Sequence, residues 1–293
     1  MTITNAVIPA AGYGTRFLPA TKAVPKELLP IVDRPTLQYI VEECARAGLD
    51  DVLLVTAAGK SAIEDHFDRA LALEQALEAA GKDDLLAEVH HATNLATVHS
   101  VRQGEALGLG HAVLQARDHV GDDSSFAVLL GDDLVDPDEP FLERMLKVHE
   151  DTGRAVVALM EVPADQVDKY GIATVAPTDV DGIFDITALV EKPPVDEAPS
   201  NLAVIGRYVL PGSIFEVLAT TPPGRGGEIQ LTDALEALAA DEPIVGVRLD
   251  GIRHDAGDKL GFLKATVDLA SRRDDVGPAF LDWLDGFVRE RRP

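Results

Sequence analysis

Ile3-Thr4-Asn5-Ala6-Val7-Ile8 runs straight into Pro9-Ala10-Ala11-Gly12-Tyr13-Gly14-Thr15-Arg16. The first six residues form an apolar run short enough for a buried strand. The next eight make a turn of small residues, whose backbone N–H groups can approach phosphate oxygens closely. The same two glycines also fit a plain turn. The Rossmann fingerprint needs a third small residue where Phe17 stands, and a helix beginning in the turn. Here Pro19, Pro25 and Pro30 follow instead. A dinucleotide-binding helix, and with it a hydride-transferring dehydrogenase, is therefore disfavoured. The P-loop pattern Gly-x-x-x-x-Gly-Lys-Ser/Thr is absent. What remains is a glycine turn with Arg16 beside it and Lys26 downstream. Both suit a triphosphate, the guanidinium through forked hydrogen bonds and the ammonium as a point charge.

Outward from the turn, strand and helix alternate. Leu37, Ile40, Val41 and Cys44 make a helical stripe over 36–47, closed by Gly48. A second buried strand is expected over 51–56. Ser61 with Glu64 offers a capping box for a helical stretch that continues to Ala80. Helices follow over 82–93 and 110–119, and strands over 97–102 and 125–130. This alternation predicts βαβ units on a parallel sheet. After about residue 155 the pattern becomes strand-rich (155–162, 171–175, 183–191, 202–210, 244–249), which predicts antiparallel additions and a second lobe. Asp233 with Glu236 is a candidate cap for a helix over 233–240. Helices are expected over 258–270 and 278–289. No clean linker separates the parts. The expected organisation is one domain over 1–293, with a nucleotide-binding portion to about 150, a sugar-binding portion to about 270 and a C-terminal helix.

Composition narrows the partners. The 293 residues hold 26 basic and 50 acidic side chains, a net charge of −24. Nucleic acid and anionic membranes call for a basic surface, so neither is an expected partner. Residues 1–34 run against this trend, with Arg16, Lys22, Lys26 and Arg34 against Glu27 and Asp33. Cys44 is the single cysteine, so no intramolecular disulfide forms and a reducing, cytoplasmic setting is expected. No apolar run has the length of a membrane span, and the N-terminus does not read as a signal peptide.

The stretch from Ala10 through Arg16, Pro19-Ala20-Thr21-Lys22-Ala23-Val24-Pro25-Lys26-Glu27 to Pro30 closely resembles the N-terminal signature of the sugar-1-phosphate nucleotidyltransferases. More narrowly, it is similar to their bacterial uridylyltransferase branch. Blocks at 63–68, 101–113, 188–193, 226–233 and 255–265 match in order, so the resemblance covers nearly the whole chain. It implies a Rossmann-like, glycosyltransferase-A-like α/β fold: a mixed, mostly parallel sheet flanked by helices, with a smaller interleaved sugar lobe. It implies conversion of UTP and glucose 1-phosphate to UDP-glucose and pyrophosphate, with Mg²⁺ as cofactor, in a homo-oligomer (dimer or tetramer).

The resemblance also implies roles. Arg16 and Lys26 face the triphosphate, with Lys22 a weaker candidate. Ala10, Ala11, Gly12, Gly14 and Thr15 line the nucleotide turn. Gln103 and Gly108 read the base, an amide being able to pair with the uracil edge. Asp132, after the strand 125–130, and Asp255 bind the metal; Mg²⁺ takes one or two carboxylates plus phosphates and water. Asp133 is a candidate orienting residue. Asp258 is equally a helix N-cap. The block around Asp255 departs from the family's aromatic-Asp-Cys-Gly form, with His254 and Ala256 in place. Lys192 holds the sugar phosphate, Glu191 the sugar hydroxyls, and Gly171 and Gly206 border the sugar pocket, with Asn201, Glu228 and Gln230 held more loosely. Without the resemblance, Glu191-Lys192 is a surface pair and Gly131-Asp132-Asp133 an ordinary turn. His66, His99, His119 and His149 show no ligand spacing, and adjacent His90 and His91 point to different helix faces. Trp283 and Phe287, at i and i+4, read as packing against the body or a neighbouring subunit. Two rivals remain: a thymidylyltransferase on the same fold, and a catalytically silent nucleotide-sugar sensor.

Overall fold

The structure, a computed structural model, describes residues 3–291. β1 (Asn5–Pro9) leads through short 3-10 turns to a hairpin of β2 (Pro30–Ile31) and β3 (Arg34–Pro35). α1 (Thr36–Arg46) buries the predicted stripe of Leu37, Ile40, Val41 and Cys44, and the chain leaves it through Gly48 at φ +80°. β4 (Asp51–Thr56) follows, and then α2 (Ser61–Phe67), α3 (Leu71–Ala79) and α4 (Asp83–Thr93) before β5 (Thr97–Arg102). The helix expected to continue to Ala80 is thus broken after Phe67. The Glu74 carboxylate accepts the Ala70 N–H at 3.1 Å and the Arg69 guanidinium at 2.9 Å, starting a new helix. Ser61 lies inside α2 and does not cap it.

The expected helix over 110–119 divides into α5 (Leu109–Leu114) and α6 (Arg117–Val120). Between them the backbone tightens to i→i−3 bonds, Gln115 N–H to Ala112 O at 3.1 Å and Ala116 N–H to Val113 O at 3.0 Å. β6 (Ser125–Leu129) and β7 (Asp133–Val135) come next. Two helices go beyond the sequence reading, α7 (Phe141–Thr152) and α8 (Ile214–Thr220), and neither has a side-chain cap to announce it. The strand-rich half supplies β8 (Ala155–Glu161), β9 (Gly171–Pro177), β10 (Ile183–Glu191), β11 (Leu202–Pro211), β12 (Ile244–Arg248) and β13 (Arg253–Asp255). α9 (Leu231–Ala239) starts two residues before Asp233, so that residue sits in its first turn and not at its cap. α10 (Lys259–Ser271) is capped by Asp258, whose carboxylate accepts the N–H groups of Leu260 and Gly261. α11 (Gly277–Arg291) ends the described chain.

Among the described residues nine strands form one sheet in the order β5-β4-β1-β6-β11-β8-β12-β10-β9. From β5 to β6 every pairing is parallel. Beyond β6 the pairings are antiparallel, apart from β12 alongside β8. Alternate residues of the parallel strands feed two cores, as a period of two requires. Val7, Leu53, Val55, Phe126 and Val128 pack toward α5, α8 and α9. Ala6, Ile8, Val52, Leu54, Ala127 and Leu129 pack toward α1 and α2.

A charged network runs through this apolar interior. Arg207, fully buried on β11, donates to both carboxylate oxygens of Glu43 at 2.9 and 2.7 Å. It also donates to the carbonyls of Gly206 at 2.8 Å and Asp133 at 2.7 Å. Asp133 accepts Arg253 Nε at 2.6 Å, Arg253 Nη2 at 3.0 Å and the Gly206 N–H at 2.7 Å. Removing one partner of a buried pair strands the other in low dielectric. Glu43→Ala is therefore expected to cost about 3–5 kcal/mol in urea unfolding; a loss below about 1 kcal/mol would show that Arg207 finds another counterion.

Candidate active site

β1 lies between β4 and β6, so its carboxyl end stands at the switch point of the parallel half, where open α/β sheets bind ligands. The glycine turn emerges there. Ala10 N–H donates to Val55 O at 2.8 Å, which anchors the turn to the neighbouring strand. Gly14 adopts φ +64°, and a side chain at that position would meet Lys26 Cβ and Thr21 Cγ2, each at 3.1 Å. Thr21 Oγ1 donates to Gly14 O at 2.7 Å. The turn is thus folded back on the segment that carries Lys26.

Two clefts meet at Arg16. One, of about 540 Å³, is lined by Ala11, Gly12, Gly14, Thr15, Lys26, Gln103, Gly108 and Asp132 among others. The other, of about 850 Å³, is lined by Tyr170, Lys192, Arg253, Asp255 and neighbours from α10. The first therefore collects most of the predicted nucleotide residues and the second the predicted sugar-phosphate lysine. Lys22 is exposed and lines neither cleft.

The carboxylates come together through a ladder absent from the sequence reading. β7 pairs with β13, setting Asp133 opposite Asp255, and Ala256 N–H donates to Asp132 O at 2.8 Å. A Cβ at Gly257 would lie 2.5 Å from an Asp132 oxygen and 2.9 Å from an Asp255 oxygen. Two hard oxygen donors thus converge on one small gap, a donor set suited to Mg²⁺. Burial pushes the Asp255 carboxyl above its usual range, and the Asp132 charge adds to this. Lys26 forms an ion pair with Asp132. Burial opposes the Lys26 ammonium, but the carboxylate outweighs it and holds the pKa above the usual lysine value. Asp133 faces away, buried on Arg253. Burial alone would raise its pKa, but Arg253, Arg207 and the Gly206 N–H hold it below the usual range. It is not placed as a metal ligand.

Several expectations need correction. Gly206 is buried and lines neither cleft; a Cβ there would strike an Asp133 oxygen at 2.7 Å. It packs against Asp133, whose carboxylate accepts its N–H at 2.7 Å. Ala10 is also buried, contributing its carbonyl to the turn's interior. Gly171 is buried opposite Glu191, where a Cβ would meet Thr232 Oγ1 at 2.9 Å. Thr232 donates to Glu191 at 2.7 Å, and Lys192 is paired with the other carboxylate oxygen. Asn201 is exposed, and its backbone carbonyl accepts the Val162 N–H at 3.0 Å. The amide of Gln103 donates to Gly108 O and His111 Nδ1, both at 3.1 Å, so neither of these bonds uses its carbonyl oxygen. Gly108, at φ +110°, is required by the chain itself, since a Cβ would meet Ile229 O at 2.6 Å. Gln230 bonds to Arg225 O and to Glu228, and Glu228 itself lines the first cleft.

Lys192 has φ +47°, a left-handed conformation uncommon outside glycine. Its N–H donates to Tyr170 O at 2.9 Å and Arg225 donates to its carbonyl, so the strained residue is held from both sides. Lys60 and Glu27 were beyond sequence reasoning as a pair. Lys60 Nζ donates to Ala10 O at 2.6 Å and to both oxygens of Glu27 at 3.1 and 2.9 Å. Burial pushes Glu27 up and Lys60 down, each toward its neutral form. The signal open to a reader was an acidic residue next to Lys26 inside a basic segment.

A glycine turn that presents cations over a carboxylate pair, on this sheet, defines an α/β enzyme of phosphoryl groups. The chain belongs to the nucleotidyl transferase family, whose model matches residues 5–272. It is 49% identical over 289 residues to the UTP–glucose-1-phosphate uridylyltransferase of Staphylococcus haemolyticus, covering 98% of each chain. Its fold is similar to the UTP-bound UGPase of Acinetobacter baumannii, with a TM-score of 0.89 and 44% identity over 96% of this chain and 98% of that one. A UDP-glucose pyrophosphorylase complexed with UDP-glucose matches with a TM-score of 0.84 and 40% identity, over 92% and 100%. The resemblance drawn from the sequence holds at the level of the uridylyltransferase branch.

If Lys60 holds the glycine turn in place, Lys60→Met should weaken nucleoside triphosphate binding and lower the urea midpoint. Adding Glu27→Gln should restore much of the stability, by removing the stranded carboxylate, but not the affinity. Wild-type affinity in folded Lys60→Met, by calorimetry, would contradict the assignment.

Proposed function

We propose that this protein is a Mg²⁺-dependent uridylyltransferase that converts UTP and glucose 1-phosphate to UDP-glucose and pyrophosphate. The observation that carries the reading is the meeting of two clefts at Arg16, with Lys26 and Asp132 on one side and Lys192 and Asp255 on the other. Near-full-length identity to a uridylyltransferase, and likeness to UTP-bound and UDP-glucose-bound structures, support it.

A phosphate oxygen of glucose 1-phosphate attacks the α-phosphorus of UTP in line. The bond from that phosphorus to the bridging oxygen breaks, and pyrophosphate leaves with the electron pair. The nucleophile is already an anion, so no general base is needed. The barrier is repulsion between polyanions, met by positioning and fixed charge. Arg16 and Lys26 take the triphosphate and the departing pyrophosphate, on the turn formed by Gly12, Gly14 and Thr15. Lys192 orients the attacking phosphate, and Glu191 accepts from sugar hydroxyls. Gln103 accepts from the uracil edge. Asp132 and Asp255 hold Mg²⁺, which when bound neutralises charge on the phosphoryl oxygens.

The chain is further proposed to act as a homo-oligomer in the cytoplasm. Exposed Leu263, Leu281 and Trp283 on the two C-terminal helices support self-association, Trp283 being 56% exposed. A buried, unpaired Cys44 supports a reducing compartment. Among the described residues no helix is long and apolar enough to cross a membrane.

Pyrophosphate release should occur with UTP, glucose 1-phosphate and Mg²⁺, be much slower with dTTP, and stop on adding EDTA. Preference for dTTP would overturn the nucleotide. No release with either, from folded protein that binds UDP-glucose, would favour a sensor. Asp132→Ala should lower kcat by about 10²-fold or more, as loss of a preorganised electrostatic group does. Lys192→Ala should raise KM for glucose 1-phosphate more than KM for UTP; the reverse pattern would remove Lys192 from the sugar phosphate.

A further inference from the structure

Far from the clefts, three potential metal ligands converge from three elements. Asp51 opens β4, His99 lies on the edge strand β5, and His119 lies in α6. Asp51 shares a sheet face with Leu53, which is paired with His99 and packs with Ala116 and Val120 around α6. His119 Nε2 is 2.9 Å from Asp51 Oδ1, and His99 Nε2 is 3.8 Å from the same oxygen. The imidazole centroids are 5.0 Å apart, and one ligand atom from each of the three residues fits within a span of 4.8 Å. Ligands around a tetrahedral Zn²⁺ sit roughly 3.4 Å apart for bonds near 2.1 Å. Small side-chain rotations of partly exposed groups close the difference.

We propose that Asp51, His99 and His119 form a surface site for a borderline divalent transition metal such as Zn²⁺. Two imidazoles and one carboxylate select this class over Mg²⁺, which prefers oxygen ligands. Three protein ligands leave the fourth position to water. Each imidazole coordinates through Nε2 and keeps its proton on Nδ1. The site lies at the start of β4, whereas Gln103 follows the strand end at Thr56, about 16 Å further along. It is thus separate from the carboxylates assigned to Mg²⁺. A metal here clips the edge strand β5 to β4 and to α6.

The test uses full-length, tag-free protein, stripped with EDTA and titrated with ZnCl₂ by calorimetry in saturating Mg²⁺. One Zn²⁺ per chain is expected. In His99→Gln/His119→Gln, affinity should fall by at least ~10-fold, the lower end for disturbing a metal's surroundings, while pyrophosphate release in Mg²⁺ is unchanged. An identical isotherm in the double variant, or no binding in the wild type, overturns the site. Wild-type crystals soaked in ZnCl₂ give a reading that does not depend on the variant's folding. Anomalous density bonded to all three side chains supports the site, and density only elsewhere overturns it.

Discussion

The ion pair between Asp133 and Arg253 is the constraint on which the site depends. The two residues are 120 positions apart in sequence, and their bond runs diagonally across the β7–β13 ladder. That ladder brings Asp132 and Asp255 to one gap. Asp133 is held in turn by the Gly206 N–H, and its carbonyl by Arg207, which is clamped to Glu43 on α1. A buried ion pair is weak evidence of stability, since apolar replacements often do as well. Its value here is directional. One carboxylate of the Asp132-Asp133 pair is locked into the core, which leaves the other to face the cleft.

The electrostatics are local in a strongly acidic chain. Net charge governs solubility and encounter, whereas binding follows the groups within a few ångströms. Arg16, Lys26 and Lys192 stand at the clefts, and Lys26 is kept charged by Asp132. Lys60 differs because it is turned inward, onto Glu27 and a carbonyl of the glycine turn. One lysine thus lines a cleft and another is a strut, and sequence alone does not separate them.

Strands and the amphipathic α1 were legible because their apolar periods are strong and their neighbours simple. The turn, Arg16 and Lys26 stood out because a long motif surrounds them, and Asp132 because it follows a buried strand. Helix ends were not. Ser61 and Asp233 have the composition of caps but lie inside helices, since tertiary contacts chose the boundaries. The glycines at 171 and 206 were read as contacts for a ligand; in the fold Gly171 makes room for the Thr232 side chain and Gly206 for the Asp133 carboxylate. Sequence shows that a position tolerates no side chain, but not which atom occupies the space. Pairs distant in sequence, such as Glu43 with Arg207 or His99 with His119, leave no local trace.

The walls of the first cleft are stitched together by backbone. Ile229 N–H donates to Leu107 O at 2.7 Å, and Gly110 N–H donates to Ile229 O at 2.9 Å. Gly108 and Gly110 lie so close to this crossing that a Cβ on either meets Ile229 O within 3 Å. The segment 107–110 and the loop leading into α9 are thus coupled as a unit. A lineage that reshapes one wall of this cleft must reshape the other in step. Change in the shape of this cleft would then leave correlated changes in two segments far apart in the gene.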